Sequence, residues 1–360
     1  MLHEFEDFIS CKEQRNYAEA STIQLSVQPE STAAPYLLDG FYVSIDDWHY
    51  IIRDRIADTN RVSVIGYSPF WLLKQRVANE QTVSGSVDSM AKTLITSNTQ
   101  GNRSLPITCA SAKADGTQHT WTTERNRVNY EIEDMLKLDD SGVKTKFIGD
   151  GFEFDTYHGA DRSAENTEGN EPVIFAVKYD NLLSFSHETG NVDTVNVVYI
   201  ENNEGNVMEY NPNNVVGVDR FETTGKLSTD EDGNTADIKD SGAAAIVKPR
   251  NAITSTIAPY TFVYGADYFL GDIVTIEHKS MEAVKNGDEY DIAEITRRHA
   301  VRITSMAIDY TADTVTYTPT FGTVQRDLRT VIKKQQKDII SNQTAIKAIN
   351  KRISALEAAI

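Results

Sequence analysis

The sequence is poor in cysteine and contains no long apolar run. Its two cysteines, Cys11 and Cys109, are too few for a disulfide framework, and neither lies in a CxxC motif. No apolar segment reaches the roughly 18 residues that a membrane-spanning helix needs. The start of the chain, from Met1 to Asp7, lacks the basic and apolar regions of a signal peptide. These absences argue against small disulfide-rich secreted scaffolds, zinc modules and integral membrane proteins.

Catalytic and nucleotide-binding motifs are absent as well. The sequence contains no HExxH zinc motif and no glycine-rich loop of the GxGxxG or GxxxxGK form. The segment from Gly66 to Phe70 approaches the GxSxG pattern of a nucleophile elbow, but Phe70 replaces the second glycine. Cys109 and His119 could pair as a thiol and its base, yet no peptidase signature surrounds either residue. The sequence therefore predicts no catalytic residues, no cofactor and no enzymatic activity.

An acidic loop at residues 227–242 is the best candidate for a metal site. Asp230, Asp232 and Asn234 are spaced like the first three ligands of an EF-hand calcium loop. However, Thr235 occupies the position that requires glycine, and Ser241 occupies the position of the bidentate glutamate. We therefore predict a solvated loop or a lobe boundary here, and no metal ligands.

Charge is distributed unevenly along the chain. The sequence has 53 acidic and 35 basic residues, which gives a net charge of −18. Residues 324–360 contain eight basic and three acidic residues, so residues 1–323 contain 27 basic and 50 acidic residues. A body this acidic repels phosphate backbones, which argues against a protein that grips nucleic acid. Solubility alone also explains the acidic excess.

Residues 324–360 have the pattern of a coiled coil. Seam residues alternate at intervals of three and four, and no glycine or proline follows Gly322. The a positions are Ile332, Ile339, Ile346, Ile353 and Ile360, and the d positions are Leu328, Gln335, Asn342, Ile349 and Leu356. Isoleucine at both seam positions favours trimers and tetramers over dimers, and the polar seam residues fix the register. We predict a homotrimeric α-helical stalk held together by these residues. A single amphipathic helix docked on the body is the alternative.

The body upstream of the stalk has the pattern of short strands. Segments rich in β-branched and aromatic residues are separated by Gly, Asn and Asp. They are residues 61–65, 147–154, 173–177, 195–200, 261–264, 273–277, 301–310 and 314–318. Residues 202–205, Asn-Asn-Glu-Gly, predict a hairpin turn that leads into a strand at residues 207–210.

Three helices are predicted among these strands. Ser68 and Pro69 predict the capped start of the first helix, and Ser86 predicts the cap of the second. The third is predicted at residues 125–138. The apolar faces of the last two are Val87, Met90, Ala91, Leu94 and Ile95, and Val128, Ile132, Met135 and Leu136. Helices flanked by strands favour a mainly β fold with α+β insertions over a parallel βαβ sheet.

Two blocks of sequence resemble a known group. The first, residues 146–188, combines an aromatic strand, the segment Gly159-Ala160-Asp161-Arg162, an apolar strand and an Asn-Leu pair. In the second, Leu270-Gly271-Asp272 opens one strand and Pro319-Thr320-Phe321-Gly322 ends another. Both resemble the tail-hub proteins of long-tailed bacteriophages, which include the hub-forming N-terminal part of tail-associated lysins. Within these blocks we predict that Gly159, Asp161, Arg162, Gly271 and Asp272 form turns and need not contact a ligand.

The resemblance implies a domain organisation and a role. It implies hub modules of β-barrel type: an N-terminal hub lobe at residues 1–150, a C-terminal hub lobe at residues 151–322 and the stalk at residues 323–360. The trimer would form a ring at the tail tip or baseplate of the virion. Its partners would be the distal tail protein, the tail-tube protein and the tape-measure protein, with DNA only as passing cargo. Acidic side chains would then either line the channel and keep DNA from adhering, or cover the outer surface.

Two other functional classes stay open at this stage. Some relatives carry a peptidoglycan-cutting domain after the hub, but the residues that follow Gly322 here are too few for such an enzyme. The first alternative is a trimeric receptor-binding or tail-fibre protein. The second is an enzyme with an unrecognised site.

Overall fold

Extended strands make up most of the fold, as the β-branched segments predict. The structure is a computed structural model that describes residues 4–113, 116–123, 125–190, 193–201, 206–226, 242, 245–247, 250–257, 261–286, 289–311 and 314–323. Within these residues the strands are β1 (Phe8–Asn16), β2 (Thr22–Val27), β3 (Tyr42–Ile45), β4 (Trp48–Ala57), β5 (Val62–Tyr67), β6 (Thr82–Gly85), β7 (Ile107–Cys109), β8 (His119–Thr122), β9 (Gly142–Ile148), β10 (Gly151–Tyr157), β11 (Ile174–Ala176), β12 (Leu182–Gly190), β13 (Val197–Glu201), β14 (Val207–Tyr210), β15 (Glu222–Lys226), β16 (Arg250–Ile257), β17 (Ile273–Asn286), β18 (Glu289–Tyr310) and β19 (Val315–Thr323). The predicted mainly β architecture is confirmed.

Two α-helices of 12 and 8 residues interrupt the strands in the described part of the chain. They are α1 (Val87–Asn98) and α2 (Val128–Met135). Short 3-10 helices are Ala34–Tyr36, Pro69–Gln75, Gly101–Arg103, Leu136–Leu138, Val177–Tyr179 and Gly217–Asp219. The cap predicted for α1 is confirmed, because the Ser86 hydroxyl accepts a hydrogen bond from the Ser89 N–H. The apolar faces predicted for α1 and α2 are both buried.

The largest sheet joins the two ends of the described chain. Its strand order is β12-β16-β19-β18-β1-β2-β5-β4-β3, with β17 pairing to β18 and β11 pairing to β17. β1 therefore lies against β18, with Cys11 opposite Tyr310 and Asn16 opposite Ser305. Smaller sheets have the orders β7-β10-β9, β14-β13-β15 and β6-β8.

Buried side chains form separate apolar clusters along this frame. One cluster packs α1 and α2 against β10 and includes Leu94, Ile132 and Phe154. A second lies among the last strands and includes Ile303 and Phe321, and a third lies among β1 to β5. Successive side chains of a strand point to opposite sides of the sheet, so one side can be buried. In β5, for example, every second residue is buried.

Two of the predicted helices were partly wrong. The helix predicted at Ser68 is the 3-10 helix Pro69–Gln75, and Ser68 does not cap it. The Ser68 hydroxyl instead accepts a hydrogen bond from the Ser21 N–H at 3.0 Å. The third helix does not start at Arg125 but at Val128, because Arg125 has a left-handed φ of +47° and the backbone of Arg127 is extended.

Three strand predictions also need correction. Residues 147–154 are not one strand: β9 and β10 form a hairpin whose turn contains Gly149 with a φ of +58°. Residues 261–264 form no strand, because the Val263 carbonyl accepts the Asp267 N–H in a turn. Pro319 does not end β19, which continues to Thr323. The missing N–H of Pro319 is tolerated because pairing to β16 begins only at the next residue.

Other predictions concern segments that lie partly outside the described residues. The predicted hairpin between β13 and β14 is confirmed by their antiparallel pairing, although its turn lies outside the described residues. Most of the acidic loop, including Asp230, Asp232 and Asn234, also lies outside them. Contacts group Met1–Thr323 into one compact unit and Val324–Ile360 into another. The division of the body into two hub lobes stays a prediction.

Candidate functional site: a buried junction and exposed apolar surfaces

The predicted oligomerisation residues cannot be located in the described structure. The seam from Leu328 to Ile360 lies entirely outside the described residues, so the trimeric stalk stays a prediction. The motif residues at positions 159–162 and 270–272 are described, and they meet in one place.

Asp272 lies at the centre of this meeting point. Its Oδ1 accepts the Ala160 N–H at 2.8 Å, and its Oδ2 accepts the Phe269 N–H at 2.9 Å. Oδ2 also receives the Arg162 Nε at 3.0 Å, and the Asp272 side chain is almost fully buried. A buried carboxylate with several donors is stabilised where an unpaired one would be costly.

Two glycines allow the same segments to approach backbone to backbone. A Cβ on Gly159 would lie 1.9 Å from the Gly271 carbonyl oxygen, which is too close for any other residue. Gly271 has a left-handed φ of +94°, and a Cβ there would lie 2.3 Å from the Tyr17 ring. The turn predicted at Gly271 is confirmed, and the glycine is required both for the turn and for the contact.

Tyr17, which follows β1, and Arg302 on β18 contact the same segments. The Tyr17 hydroxyl lies within 3.2 Å of the carbonyl oxygens of Asp140 and Tyr157 and can donate to one of them. The Arg302 guanidinium lies 5.4 Å from the centre of the Tyr17 ring, and its Nη1 donates to the Gly271 carbonyl at 2.6 Å. Arg302 also pairs with Asp140 at 2.9 Å. Burial raises the pKa of Tyr17, so its hydroxyl stays a hydrogen-bond donor.

We call this group of Tyr17, Gly159, Gly271, Asp272 and Arg302 the junction. It connects the end of β1, the loop after β10, the turn before β17 and the middle of β18. The sequence predicts separate turns at its motif residues. The structure brings them together as one buried contact.

A second buried group stabilises the large sheet and was missed in the sequence. Arg15 donates from Nε and Nη2 to the two carboxylate oxygens of Glu13 at 3.0 and 2.9 Å. The hydroxyls of Tyr50 and Tyr310 donate to the same carboxylate. The Arg15 guanidinium lies 4.8 Å from the centre of the Trp48 ring. The charges are paired and hydrogen-bonded, as buried charges must be.

A third buried group fixes α1 to β10. The Lys92 ammonium lies 2.7 Å from Asp88 and 2.7 Å from Asp155. Burial alone would raise the pKa of Asp88, but hydrogen bonds from the Lys113 N–H, Lys92 and Thr156 outweigh it and hold the pKa below its usual range. Burial would lower the pKa of Lys92, but its two carboxylate partners raise it. Burial would also raise the pKa of Asp155, but hydrogen bonds from Lys92 and Lys113 lower it, so all three side chains carry charge at neutral pH.

Apolar side chains are exposed at one edge of the large sheet. Tyr42 on the end strand β3 and Phe147 on β9 are 47% and 43% exposed, and their ring centres are 6.1 Å apart. His49 lies 5.7 Å from Phe147, and all three rings contact the buried Phe152. Burial lowers the pKa of His49, which favours its neutral form. We call Tyr42, His49 and Phe147 the aromatic surface. Exposed apolar groups of this kind often mark contacts with other proteins.

The hairpin of β17 and β18 exposes a second set of apolar side chains. In the described residues, the two strands pair only with each other beyond Glu277. Met281 is 66% exposed and Ile292 is 75% exposed on this part, which we call the arm. A two-stranded hairpin is marginally stable in water by itself.

In the described part of the chain, no three His, Cys, Asp or Glu side chains are grouped so that they could hold a metal ion. Burial, then the charges of Glu13 and Asp309, raises the pKa of Cys11 to about 12, and burial also raises the pKa of Cys109. Raised thiol pKa values disfavour a nucleophilic thiolate. No helix in the described part of the chain is long and apolar enough to cross a membrane.

Two solved structures with a similar fold are tail proteins. The chain is similar to a prophage tail protein gp18 from Listeria monocytogenes EGD-e, with 14% identity and a TM-score of 0.51, over 92% of this chain and 94% of that one. It is also similar to a tail protein from Neisseria meningitidis MC58, with 13% identity and a TM-score of 0.50, over 89% of this chain and 93% of that one. At these identities the likeness concerns the fold alone.

Sequence comparison gives the family. A search of curated protein sequences finds no match. The sequence model of the family described as Siphovirus ReqiPepy6 Gp37-like protein matches residues 1–323. The predicted resemblance to proteins of long-tailed bacteriophages is thereby confirmed. Because this match covers most of the 360 residues, the chain belongs to the family of siphovirus ReqiPepy6 Gp37-like proteins.

Proposed function

We propose that this chain is a structural protein of the phage tail that forms a homotrimeric hub at the tail tip or baseplate. The hub would join the tail tube to the distal tip components and allow DNA to pass. The observation that carries the proposal is the end-to-end likeness of fold to a prophage tail protein, over 92% of this chain and 94% of that one. The family supplies the siphovirus context.

The buried groups of the body support a mechanical role. The junction and the Glu13–Arg15 group connect segments from both ends of the body through charged hydrogen bonds. Such satisfied networks specify one rigid arrangement rather than a mobile one. A ring that transmits force between a tube and a tip needs this rigidity.

The exposed groups support contacts with neighbouring chains. The aromatic surface and the arm present apolar side chains on the outside of a chain that is acidic overall. In a trimer, the arm would contact a neighbouring copy, and the aromatic surface would contact a different tail protein. The seam from Leu328 to Ile360 would add a three-helix stalk.

The proposal has no catalytic step. The distal tail protein, the tail-tube protein and the tape-measure protein are the partners that the family resemblance suggests. DNA would pass without being held, because 50 acidic against 27 basic residues in positions 1–323 disfavour phosphate contacts. The acidic residues would either line the channel or cover the outer surface.

Sedimentation equilibrium of the full chain tests the oligomer. We expect a particle of three chains of 40.1 kDa each, whereas a monomer or a dimer would contradict the hub. Electron microscopy of phage particles with a label on the C-terminus tests the position, and we expect the label on the tail axis at the tip. A label on radial fibres, together with binding to host cell walls, would instead support a receptor-binding protein.

A further inference from the structure

A cleft of about 610 Å³ opens next to the segment that leads into α2. Its lining includes the arginines Arg76, Arg103 and Arg125 and the polar residues Gln75, Asn79 and Glu80. We call it the arginine cleft. Its volume is in the range of small-molecule sites, and the proposed hub function does not use it.

Neutral oxygen atoms hold two of the three arginines in place. Arg76 donates from Nε to the Arg103 carbonyl at 2.8 Å, from Nη2 to the Ser104 carbonyl at 3.1 Å and from Nη1 to the Gln75 carbonyl at 3.3 Å. These bonds use three of the five N–H donors of its guanidinium group. Arg103 donates from Nη1 to the Asn79 side-chain oxygen at 2.8 Å, and from Nη2 to the Val77 carbonyl. These bonds position the guanidinium groups without neutralising their charge. Binding of an oxyanion then requires little reorganisation.

The third arginine of the cleft has a disfavoured backbone conformation. Arg125 has a φ of +47°, in the left-handed region that arginine rarely adopts. The next residue, Asn126, is fixed because its carbonyl accepts the Ala78 N–H at 2.7 Å. Arg125 pairs with Glu80 at 3.1 Å, and Glu80 is the one carboxylate among the described lining residues. A non-glycine residue kept in this conformation suggests a role for its side chain.

The positive charge of the lining indicates the charge of the ligand that the cleft would bind. Three arginines and one glutamate give the arginine cleft a positive lining, although residues 1–323 as a whole contain 50 acidic and 27 basic residues. A phosphate monoester carries a charge of about −1.5 to −2 at pH 7, which balances this excess better than a singly charged carboxylate or phosphodiester. Guanidinium groups also present paired N–H donors that match phosphate oxygens.

We propose that the arginine cleft binds a phosphate monoester. Arg76 and Arg103 would provide fixed donors to the phosphate oxygens, and Arg125 would exchange its contact with Glu80 for a contact with the ligand. The volume beyond the phosphate group would hold a small organic group.

Isothermal titration calorimetry on the full chain tests this site, with glycerol 3-phosphate as the probe and glycerol as the neutral comparison. We expect saturable binding of one glycerol 3-phosphate per chain, and no binding of glycerol. Arg125→Asn should weaken binding about tenfold, because it removes one charged hydrogen-bond donor. Asparagine tolerates the left-handed conformation, so the backbone is preserved. Glu80→Gln should strengthen binding several-fold, because it removes the competing carboxylate.

Arg127→Asn is the matched control. It removes the same charge outside the lining and places asparagine at the N-cap of α2, where this residue is favourable. We expect its affinity to stay within about twofold of the wild type, since Arg127 does not line the cleft and its Nη1 donates to the Lys74 carbonyl at 3.0 Å instead. Equal weakening by Arg125→Asn and Arg127→Asn would overturn the site in favour of general electrostatic attraction. The site would also be overturned if glycerol 3-phosphate showed no saturable binding, or if Glu80→Gln did not raise the affinity. A third contradicting result would be duplex DNA that competes as well as glycerol 3-phosphate at the same phosphate concentration.

Discussion

A single methyl group at Gly159 should disrupt the junction. A Cβ there would lie 1.9 Å from the Gly271 carbonyl oxygen and 2.5 Å from the Asp272 nitrogen, and both are backbone atoms that cannot move aside cheaply. We expect Gly159→Ala to lower the free energy of unfolding by about 2–4 kcal/mol, since overpacking of a rigid contact is costly. Urea denaturation of the full chain measures the change.

Gly190→Ala is the control for this substitution. Nothing lies within 4 Å of a Cβ at Gly190, and we expect a change within about 0.5 kcal/mol. Similar losses in the two variants would show that glycine substitution in general, and not the contact across the junction, is responsible.

The Asp88–Lys92–Asp155 group should make the stability of the body depend on pH. Hydrogen bonds hold the pKa of Asp88 below its usual range despite burial. The Asp88 carboxylate therefore contributes fully to the free energy of unfolding above its pKa in the unfolded chain, about 3.9. This contribution is lost as the pH falls through the lower pKa that Asp88 has in the folded protein. The raised pKa of Lys92 has the opposite consequence, and its contribution is lost only at strongly alkaline pH. Both contributions are complete near neutral pH.

Asp88→Asn tests this pH dependence. We expect it to lower the free energy of unfolding by about 2–4 kcal/mol at pH 7, because it removes one partner of a buried ion pair. We also expect a smaller loss of stability between pH 5 and pH 3 than in the wild type, measured by urea denaturation at each pH. Asp54→Asn, at an exposed carboxylate, should keep the wild-type profile. Parallel profiles for Asp88→Asn and the wild type would contradict the assignment.

At the residue scale, the sequence predicted the glycine turn and missed the buried charges. Cys11, Glu13 and Arg15 alternate along β1 and are all buried, whereas alternation usually places charged residues towards solvent. Their partners, Tyr50 and Tyr310, lie far away in the chain. A single sequence does not show which distant group pairs with a charge, so neither this group nor the junction could be assembled from it.

At the scale of elements, the sequence predicted correctly those features that depend on residues close together in the chain. α1 was predicted with its cap and its buried face, because both depend on residues within four positions of each other. The errors occurred where tertiary contacts override the local signal. Ser68 has the residue type of a cap, but its hydroxyl accepts a hydrogen bond from the N–H of Ser21, the residue before β2. The large sheet orders its strands by long-range pairing, which no local pattern specifies.

The arm should contribute to assembly rather than to the stability of the body. Ile292 is 75% exposed, whereas Ile303 on the same strand is fully buried. We expect Ile292→Thr to change the free energy of unfolding by less than about 0.5 kcal/mol, because threonine keeps the β-branched shape of an exposed strand residue. We expect the same substitution to weaken the association of full-length chains, as measured by sedimentation velocity over a range of concentrations.

Ile303→Val provides the buried comparison for the arm. This substitution should cost about 0.5–1.5 kcal/mol of stability, because it removes a core methylene group, and it should leave association unchanged. If Ile292→Thr leaves association unchanged as well, the arm does not contact a neighbouring copy.

At the scale of the whole molecule, the ends of the body are brought together. β1 pairs with β18, and the junction adds Tyr17 to the turn that precedes β17. The last described strand, β19, also pairs with β18, so the residues that precede the predicted stalk belong to the same sheet as the first strand. The first and the last strand of the described body are therefore held in one sheet.

The stalk should determine how strongly the chains associate. Ile346 occupies an a position in the middle of the seam, and a three-helix coiled coil would bring three copies of it together. Ile346→Asp would bury three carboxylates near one axis, where neither water nor a counter-charge compensates them. We expect this variant to dissociate at concentrations at which the wild type sediments as a trimer. Ala348→Asp adds the same charge at an outward position and should leave the trimer intact, whereas equal dissociation of both variants would exclude the seam as its cause.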